Sequence, residues 1–371
     1  MTDQEIIDLA SQVANLIVGD LSNGIYASLK GSLSVAWSPV DIFNASADSL
    51  GKVDEPPNHR IVLHYELARQ LYRDAEDYHD FCVGDFKEEA YQSFFDGFDV
   101  KPKMPEMFKR EARIKNMFIG AFTWVIFHEL GHLTQEHRYI RNRFCASVST
   151  SSQIEEWEDA NNGAQLTGRA AAVFHATEFA ADFEGVHWCL MELMRHFLKL
   201  ESFANGEEVS DEKTSAEFQG ALFLLMSGIA CACYRFYGTR PSQPSAEPVG
   251  THPTPIRRLE VCVPHAFEML SGVNEGTSSI HGMDRRQVVH LCTGAGYTAG
   301  LFWLWRYANT PGIPEHYMLK GAIQDPHAST YWKTIIETWD EIEPAISQVR
   351  RFGSWLSLLQ FSDVFRSRVT Q

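Results

Sequence analysis

Apolar side chains recur every three to four residues near the start of the chain, which is the spacing of a helix that buries one face. Asp3 precedes this stripe and is predicted to cap the helix. The stripe comprises Ile6, Leu9, Ala10, Val13, Leu16 and Ile17. A short β-like run at residues 61–63, followed by further helical spacing, predicts a strand of a small sheet after this helix.

The longest helical pattern covers residues 106–137, which follow Pro102 and Pro105. Its inward stripe combines apolar residues with two histidines and a glutamate. The stripe comprises Phe118, Ala121, Phe122, Val125, His128, Glu129 and His132. A second long helix is predicted over residues 168–200, where Ala, Leu and Met abound and no proline interrupts the pattern.

Residues 218–234, "FQGALFLLMSGIACACY", form an uncharged run between Glu217 and Arg235. A helix that spans the hydrocarbon layer needs about 20 predominantly apolar residues. This run is shorter and contains Gln219 and Ser227. We therefore predict a buried core helix here and expect no membrane span.

These patterns predict a predominantly helical α+β fold with a small sheet and two long helices. We divide the chain into an N-terminal helical and strand region (1–100), a middle region that carries the candidate chemistry (101–265) and a C-terminal helical region packed on it (266–371). The middle region contains a polar linker, "ANGEEVSDEKTSAE", and a Pro-rich loop, "YGTRPSQPSAEPVGTHPTP".

The net charge of −16 disfavours nucleic acid as a partner because phosphate backbones are also negative. The seven cysteines are an odd number and include no C-x-x-C pair, so a disulfide framework or a thiolate zinc site is not expected. The first residues carry acids where a signal peptide carries basic residues. We expect a soluble, cytoplasmic protein.

The segment "FHELGH" places His128 and His132 one helical turn apart, so both imidazoles can reach one cation. Glu129 lies beside the first histidine, where a carboxylate can accept a proton from water instead of binding the metal. This H-E-x-x-H arrangement is typical of zinc peptidases and predicts Zn²⁺ as the cofactor.

A catalytic zinc site needs a third protein ligand, and two candidates compete. In "TEFAAD", Glu178 and Asp182 share one helix face, so Glu178 can bind zinc while Asp182 accepts the free N–H of His128. The rival is His137, but a three-histidine metzincin pattern requires glycine at 135 and histidine at 138, which are Gln135 and Arg138. If the helix continues, His137 faces away from the metal. We favour Glu178.

The loop "THPTPIRRLE" places His252 before a proline and Arg258 at a helix start. Together, "HELGH", "TEFAAD" and "HPTPIRR" resemble, in content and order, the catalytic core of gluzincin-clan zinc peptidases, in particular HtpX-like proteases and CAAX-type prenyl-protein endopeptidases. The resemblance covers roughly residues 105–260. It implies a zincin-like core in which His128, His132 and Glu178 bind zinc, Glu129 is the general base, and His252 and Arg258 lie near the reaction centre.

Those relatives carry several obvious membrane spans, whereas this chain shows no convincing one. The soluble Lit-type phage-exclusion peptidases are similar in general layout. We therefore expect a zinc-dependent endopeptidase that acts on a specific protein substrate, with a regulatory partner possible on the terminal helical regions. Two alternatives remain open, a three-histidine protease that uses His137 and a non-catalytic zinc-binding sensor or scaffold. For His252 and Arg258 a purely structural role is equally open.

Overall fold

The computed structural model describes residues 1–84, 104–145, 153–155, 166–197, 212–238, 245–274, 283–308, 326–352 and 358–369. Within these ranges the chain is mostly helical, as predicted. The α-helices of the described residues are α1 (Asp3–Leu21), α2 (Tyr65–Val83), α3 (Arg110–Thr134), α4 (His137–Phe144), α5 (Gly168–Phe197), α6 (Glu212–Tyr237), α7 (Pro255–Asn274), α8 (Arg285–Trp303), α9 (Pro326–Val349) and α10 (Asp363–Val369). Short π-helical turns, Ser22–Tyr26 and Leu304–Ala308, follow α1 and α8. Residues 204–211 of the polar linker and 239–244 of the Pro-rich loop lie outside the described ranges.

A small sheet contains β1 (Ser32–Ser38), β2 (Ala45–Ser49), β3 (Asn58–His64) and β4 (Gln153–Glu155) in the order β1-β3-β2-β4. β1 pairs with β3 in parallel, and β2 pairs antiparallel with both β3 and β4. The predicted strand at residues 61–63 lies within β3. The α+β class is thus confirmed, and the sheet lies against α3 through β2 and β3.

Thr2, rather than Asp3, caps α1. The Glu5 backbone N–H donates to the Thr2 hydroxyl, and the Glu5 carboxylate accepts from the Thr2 backbone nitrogen at 2.7 Å. This reciprocal capping box satisfies two of the N–H groups that a helix start leaves unpaired. The predicted cap was wrong by one residue because Asp3 is already inside the first turn.

The two long helices α3 and α5 cross closely, and glycines make this crossing possible. A Cβ on Gly185 of α5 would lie 3.1 Å from the backbone nitrogen of His128, and one on Gly131 of α3 would lie 3.1 Å from Ala181 Cα. Both distances are tighter than ordinary van der Waals contact. The crossing therefore brings the H-E-x-x-H face of α3 against the Glu178 face of α5.

The apolar helix α6 packs in the interior. The most apolar 18-residue window within Thr214–Tyr237 has a mean hydropathy of 1.5, and 78% of that window is buried inside the protein. It is the one helix of the described ranges that is long and apolar enough to cross a membrane. Its contacts with α3 and α8 are those of a core helix, as the sequence predicted.

Both terminal regions pack on the middle region through two apolar clusters. The first extends from Ile6 of α1 through α3 and α6 to Trp303 of α8. The second joins α4 and α5 to α9 and α10, and places Trp332 against Phe179 with ring centroids 4.9 Å apart. The candidate site lies on α3 and α5, between these two clusters.

Candidate metal centre

Three side chains from α3 and α5 bring metal-binding atoms together in the interior. His128 Nε2 lies 3.1 Å from His132 Nε2 and 3.4 Å from Glu178 Oε2. His132 Nε2 lies 3.3 Å from Glu178 Oε1. All three residues are buried, and they form the one group of three potential ligands found among the described residues.

These separations fit a small tetrahedral cation. Zinc holds nitrogen and oxygen ligands at about 2.0 to 2.1 Å, which places neighbouring ligand atoms about 3.3 to 3.4 Å apart. The three observed separations lie between 3.1 and 3.4 Å, with Oε2 of Glu178 nearest His128 and Oε1 nearest His132. His₂Glu is also a ligand set of catalytic zinc, so the residues present fit a zinc ion.

The orientation of His128 supports the same interpretation. Its Nδ1 lies 2.9 Å from Asp182 Oδ1, and a carboxylate can only accept there. Nδ1 therefore carries the hydrogen, and the lone pair is on Nε2, which faces the cluster. A carboxylate that accepts from a ligating histidine is the usual outer partner in zinc sites.

Arg258 holds Asp182 in place. Its Nε and Nη2 atoms lie 2.9 Å and 2.7 Å from the two carboxylate oxygens, and its guanidinium lies over the ring of Trp124. Nη2 is 3.4 Å from His128 Nδ1, on the side of the imidazole remote from the cluster. The guanidinium thus lies behind His128, on the side of Asp182, and the predicted role of Arg258 near the reaction centre stays a prediction.

His252 approaches the cluster from the loop before α7. Its Nε2 lies 3.7 Å from Glu178 Oε1, and its Nδ1 lies 2.8 Å from the Thr251 hydroxyl. Its side chain is 11% exposed, whereas Glu178 is completely buried. His252 thus borders the cluster on the Glu178 side, and among the sequence-predicted residues it retains contact with solvent.

Glu129 follows His128 on α3 and has no exposed surface. A fully buried carboxylate in this position is shielded from bulk water and adjoins the first ligand along the helix. A general base needs this adjacency to the metal position. Glu129 is thus buried, as are the three potential ligands, and its role as general base stays a prediction.

His137 does not belong to the group of three potential ligands, but this is not because the helix continues past it. The helix does not continue, because α3 ends at Thr134 and Glu136 adopts a left-handed conformation with φ 52°. The chain reverses there, and α4 starts at His137. This reversal brings His137 Nδ1 to 2.8 Å from His132 Nδ1, behind the second histidine.

Arg141 is a site residue that the sequence did not reveal. Its Nη2 donates to Glu178 Oε1 at 2.5 Å, and its Nε donates to the Thr177 hydroxyl at 2.9 Å. Burial raises the pKa of Glu178, but the neighbouring His252 and His132 outweigh it and hold the pKa well below its usual value. Arg141 faces this anionic carboxylate only because of the chain reversal before α4, for which the sequence shows no glycine signal.

A separate cavity of 760 Å³ lies beside α7, and aromatic side chains including Phe183, Trp332 and Phe365 line it. None of the three potential ligands borders it, and neither does Glu129. The converging donor atoms, rather than this cavity, therefore define the candidate site.

Comparisons with protein-family models, with curated proteins and with solved structures found no match to this chain. The resemblance to gluzincins therefore rests on the motif residues alone. What the structure shows is that His128, His132 and Glu178 form a buried group that can hold a metal ion.

Proposed function

We propose that this protein is a soluble, cytoplasmic zinc-dependent endopeptidase. The observation that carries the proposal is the convergence of His128 Nε2, His132 Nε2 and the Glu178 carboxylate, whose Oε2 lies 3.4 Å from His128 Nε2 and whose Oε1 lies 3.3 Å from His132 Nε2. Glu129 follows the first histidine in the chain. All seven cysteines are free thiols, as expected for a protein in a reducing compartment.

His128, His132 and Glu178 would hold the metal, and Asp182 and Arg258 would keep His128 oriented. A zinc ion bound there would act as a Lewis acid and lower the pKa of water at its open position to about 7. Because both outer contacts are buried, they are not weakened by competing solvent.

Glu129 would perform the proton transfers. Its carboxylate takes a proton from water as the water oxygen forms a bond to the peptide carbonyl carbon. Glu129 then gives this proton to the leaving amine nitrogen as the C–N bond breaks. Its burial favours both transfers, because bulk water cannot exchange the proton in the interval.

His252 is the residue that we assign to the developing oxyanion. It borders Glu178 Oε1 and is partly exposed, so it can contact a substrate carbonyl that approaches the metal position. Removing one well-placed oxyanion donor typically costs about 10²- to 10³-fold in kcat. Arg258 is reassigned to positioning, since both oxygens of Asp182 engage its guanidinium.

The burial of the site supports a narrow substrate range. The ligands and Glu129 are at most 1% exposed, so an extended segment of a substrate must enter the protein to reach them. We propose a specific protein substrate in place of general digestion. Capture by the inactive Glu129→Gln variant tests this, and recovery of a broad, unselective set of proteins contradicts it.

The same burial favours a second candidate, a non-catalytic metal site that stabilises a scaffold or sensor. One experiment separates the two candidates. Purified wild type and Glu129→Gln are compared for zinc content and for cleavage of lysate proteins, with and without a chelator. Chelator-sensitive cleavage that Glu129→Gln loses while it keeps its zinc supports the peptidase, whereas equal zinc content and no cleavage by wild type supports the scaffold.

A further inference from the structure

A chain of three hydrogen bonds extends away from the metal centre behind His132. His132 Nδ1 lies 2.8 Å from His137 Nδ1, and His137 Nε2 lies 3.3 Å from Gln135 Oε1. The amide nitrogen of Gln135 then donates to Glu184 Oε2 at 2.6 Å. All four side chains are buried.

Two acceptors determine which way the Gln135 amide points. Its nitrogen lies 3.3 Å from the Ala180 backbone carbonyl as well as 2.6 Å from Glu184 Oε2. A carbonyl oxygen only accepts, so the opposite amide orientation would place the Gln135 amide oxygen against the Ala180 carbonyl oxygen, with no hydrogen between them. The amide oxygen of Gln135 must therefore face His137.

This orientation determines the proton positions on both histidines. Gln135 Oε1 accepts, so His137 Nε2 carries a hydrogen and donates to it. His137 has no exposed surface, and its neutral imidazole then has an acceptor at Nδ1. His132 Nδ1 must donate to that acceptor, which leaves the lone pair of His132 on Nε2, facing the metal position.

We propose that Gln135 is a positioning residue that, through His137, sets the tautomer in which His132 can bind a metal. The inference rests on the metal site of the proposed function, but it does not depend on peptide hydrolysis. It assigns His137 to a role behind the ligand, in place of the ligand role in the three-histidine alternative.

Glu184 offers a conservative control for this relay. Its other carboxylate oxygen, Oε1, accepts from the Thr134 hydroxyl at 2.7 Å. In Glu184→Gln, the new amide nitrogen can donate to Thr134 while its oxygen still accepts from Gln135. The relay therefore survives Glu184→Gln but is interrupted in Gln135→Met, which keeps the side-chain length and removes both polar atoms.

The experiment uses the full-length protein with Zn²⁺ as the probe. Zinc affinity is measured by competition with a chromophoric chelator for wild type, Gln135→Met, Glu184→Gln and Tyr78→Phe. Tyr78→Phe is a matched control because it removes buried hydrogen bonding, including the contact with Ser227 at 3.0 Å, far along the chain from the relay. The imidazole ¹⁵N shifts of His132 are recorded on the metal-free wild type and on Gln135→Met.

We expect Gln135→Met to weaken zinc binding by about 10- to 100-fold, as losses of outer hydrogen bonds do. Glu184→Gln and Tyr78→Phe should leave the affinity unchanged. In metal-free wild type, His132 should carry its hydrogen on Nδ1, and Gln135→Met should show a mixture of tautomers.

A His132 that carries its hydrogen on Nε2 in metal-free wild type would overturn the proposal, even if Gln135→Met fails to fold. So would unchanged zinc affinity in a folded Gln135→Met. A wild type that binds no zinc contradicts the proposed function instead, and the tautomer of the metal-free protein still decides the relay.

Discussion

Arg141 Nη2 lies 2.5 Å from Glu178 Oε1, so a buried guanidinium contacts the carboxylate that we propose as the third metal ligand. The pair has almost no contact with solvent, with side-chain exposures of 5% and 0%. A metal ion bound at the cluster would therefore neutralise the same buried carboxylate as Arg141.

Arg141→Met should destabilise the metal-free protein more than the zinc-loaded protein. Removing one partner of a buried ion pair typically costs about 3 to 5 kcal/mol, because the other charge stays buried. Zinc supplies a positive charge to Glu178 in its place. Urea unfolding of the variant, with chelator and with saturating zinc, measures both values.

By linkage, the variant must then bind zinc more tightly, about tenfold for each 1.4 kcal/mol by which zinc reduces the loss. The control is Arg169→Met, which removes an ion pair with Glu341 in which both side chains are about half exposed. Exposed pairs contribute little, so this variant should stay near wild type. Equal destabilisation of Arg141→Met with and without zinc would show that Arg141 and the metal do not share Glu178.

Glu178→Ala should eliminate zinc binding, because it removes one of three ligands. Asp182→Asn should keep the shape but weaken the contact that orients His128, with a loss of about 10- to 100-fold in affinity. His137→Ala should lower affinity in the same range, yet still reach one zinc per chain at saturation. Metal content and zinc titration of the three variants decide this. Zinc retained by Glu178→Ala and absent from saturated His137→Ala would favour the three-histidine alternative.

The sequence predicted the elements that are marked by periodicity. The stripes of α3 and α5 are long and nearly unbroken, and the i, i+4 pairs on them place His128 near His132 and Glu178 near Asp182. The crossing of the two helices could not be read from periodicity, because it depends on close contact at Gly185.

The parts that were missed depend on long-range geometry. β2, "ASADS", has no alternation of apolar and polar residues, and all five of its residues are buried. The chain reverses at Glu136, a non-glycine residue with a left-handed backbone conformation, and no local sequence pattern predicts such a turn. Buried Glu136 accepts from Arg351 at 2.5 Å, and this contact from beyond α9 stabilises the turn. Because the sequence does not show this long-range contact, it gives no reason for α3 to end before His137.

Glu184 should make stability pH-dependent near neutrality. Burial raises its pKa from 4.5 to about 7, against the opposing hydrogen bonds from Thr134 and Gln135. The native state therefore holds the proton more tightly than the unfolded state. The resulting stabilisation is fully present below pH 4.5 and is lost as the pH rises through 7.

Glu184→Gln removes this titration and serves as the reference. Between pH 4.5 and 7, the free energy of unfolding of wild type should fall by about 3 kcal/mol relative to the variant, and the difference should be constant above pH 8. Urea unfolding of both proteins across this range gives the difference directly. A difference that does not change with pH would show that Glu184 titrates alike in the native and unfolded states.

Gly185→Ala should impair the metal centre without changing any ligand side chain. The added Cβ would lie 3.1 Å from His128 N and 3.3 Å from His128 Cα, and these backbone atoms can give only by moving α3 away from α5 by a few tenths of an ångström. Such a shift separates the histidines on α3 from Glu178 on α5. We expect zinc affinity to fall by about tenfold or more, the range seen for disturbed outer contacts.

The control is Gly19→Ala in α1, where a Cβ meets nothing within 4 Å. That change should raise stability by about 0.5 to 1 kcal/mol and leave zinc binding unchanged. Zinc titration and urea unfolding of both variants test the expectation. Wild-type zinc affinity in Gly185→Ala would mean that the metal centre tolerates separation of the two helices, and the close crossing would then serve packing alone.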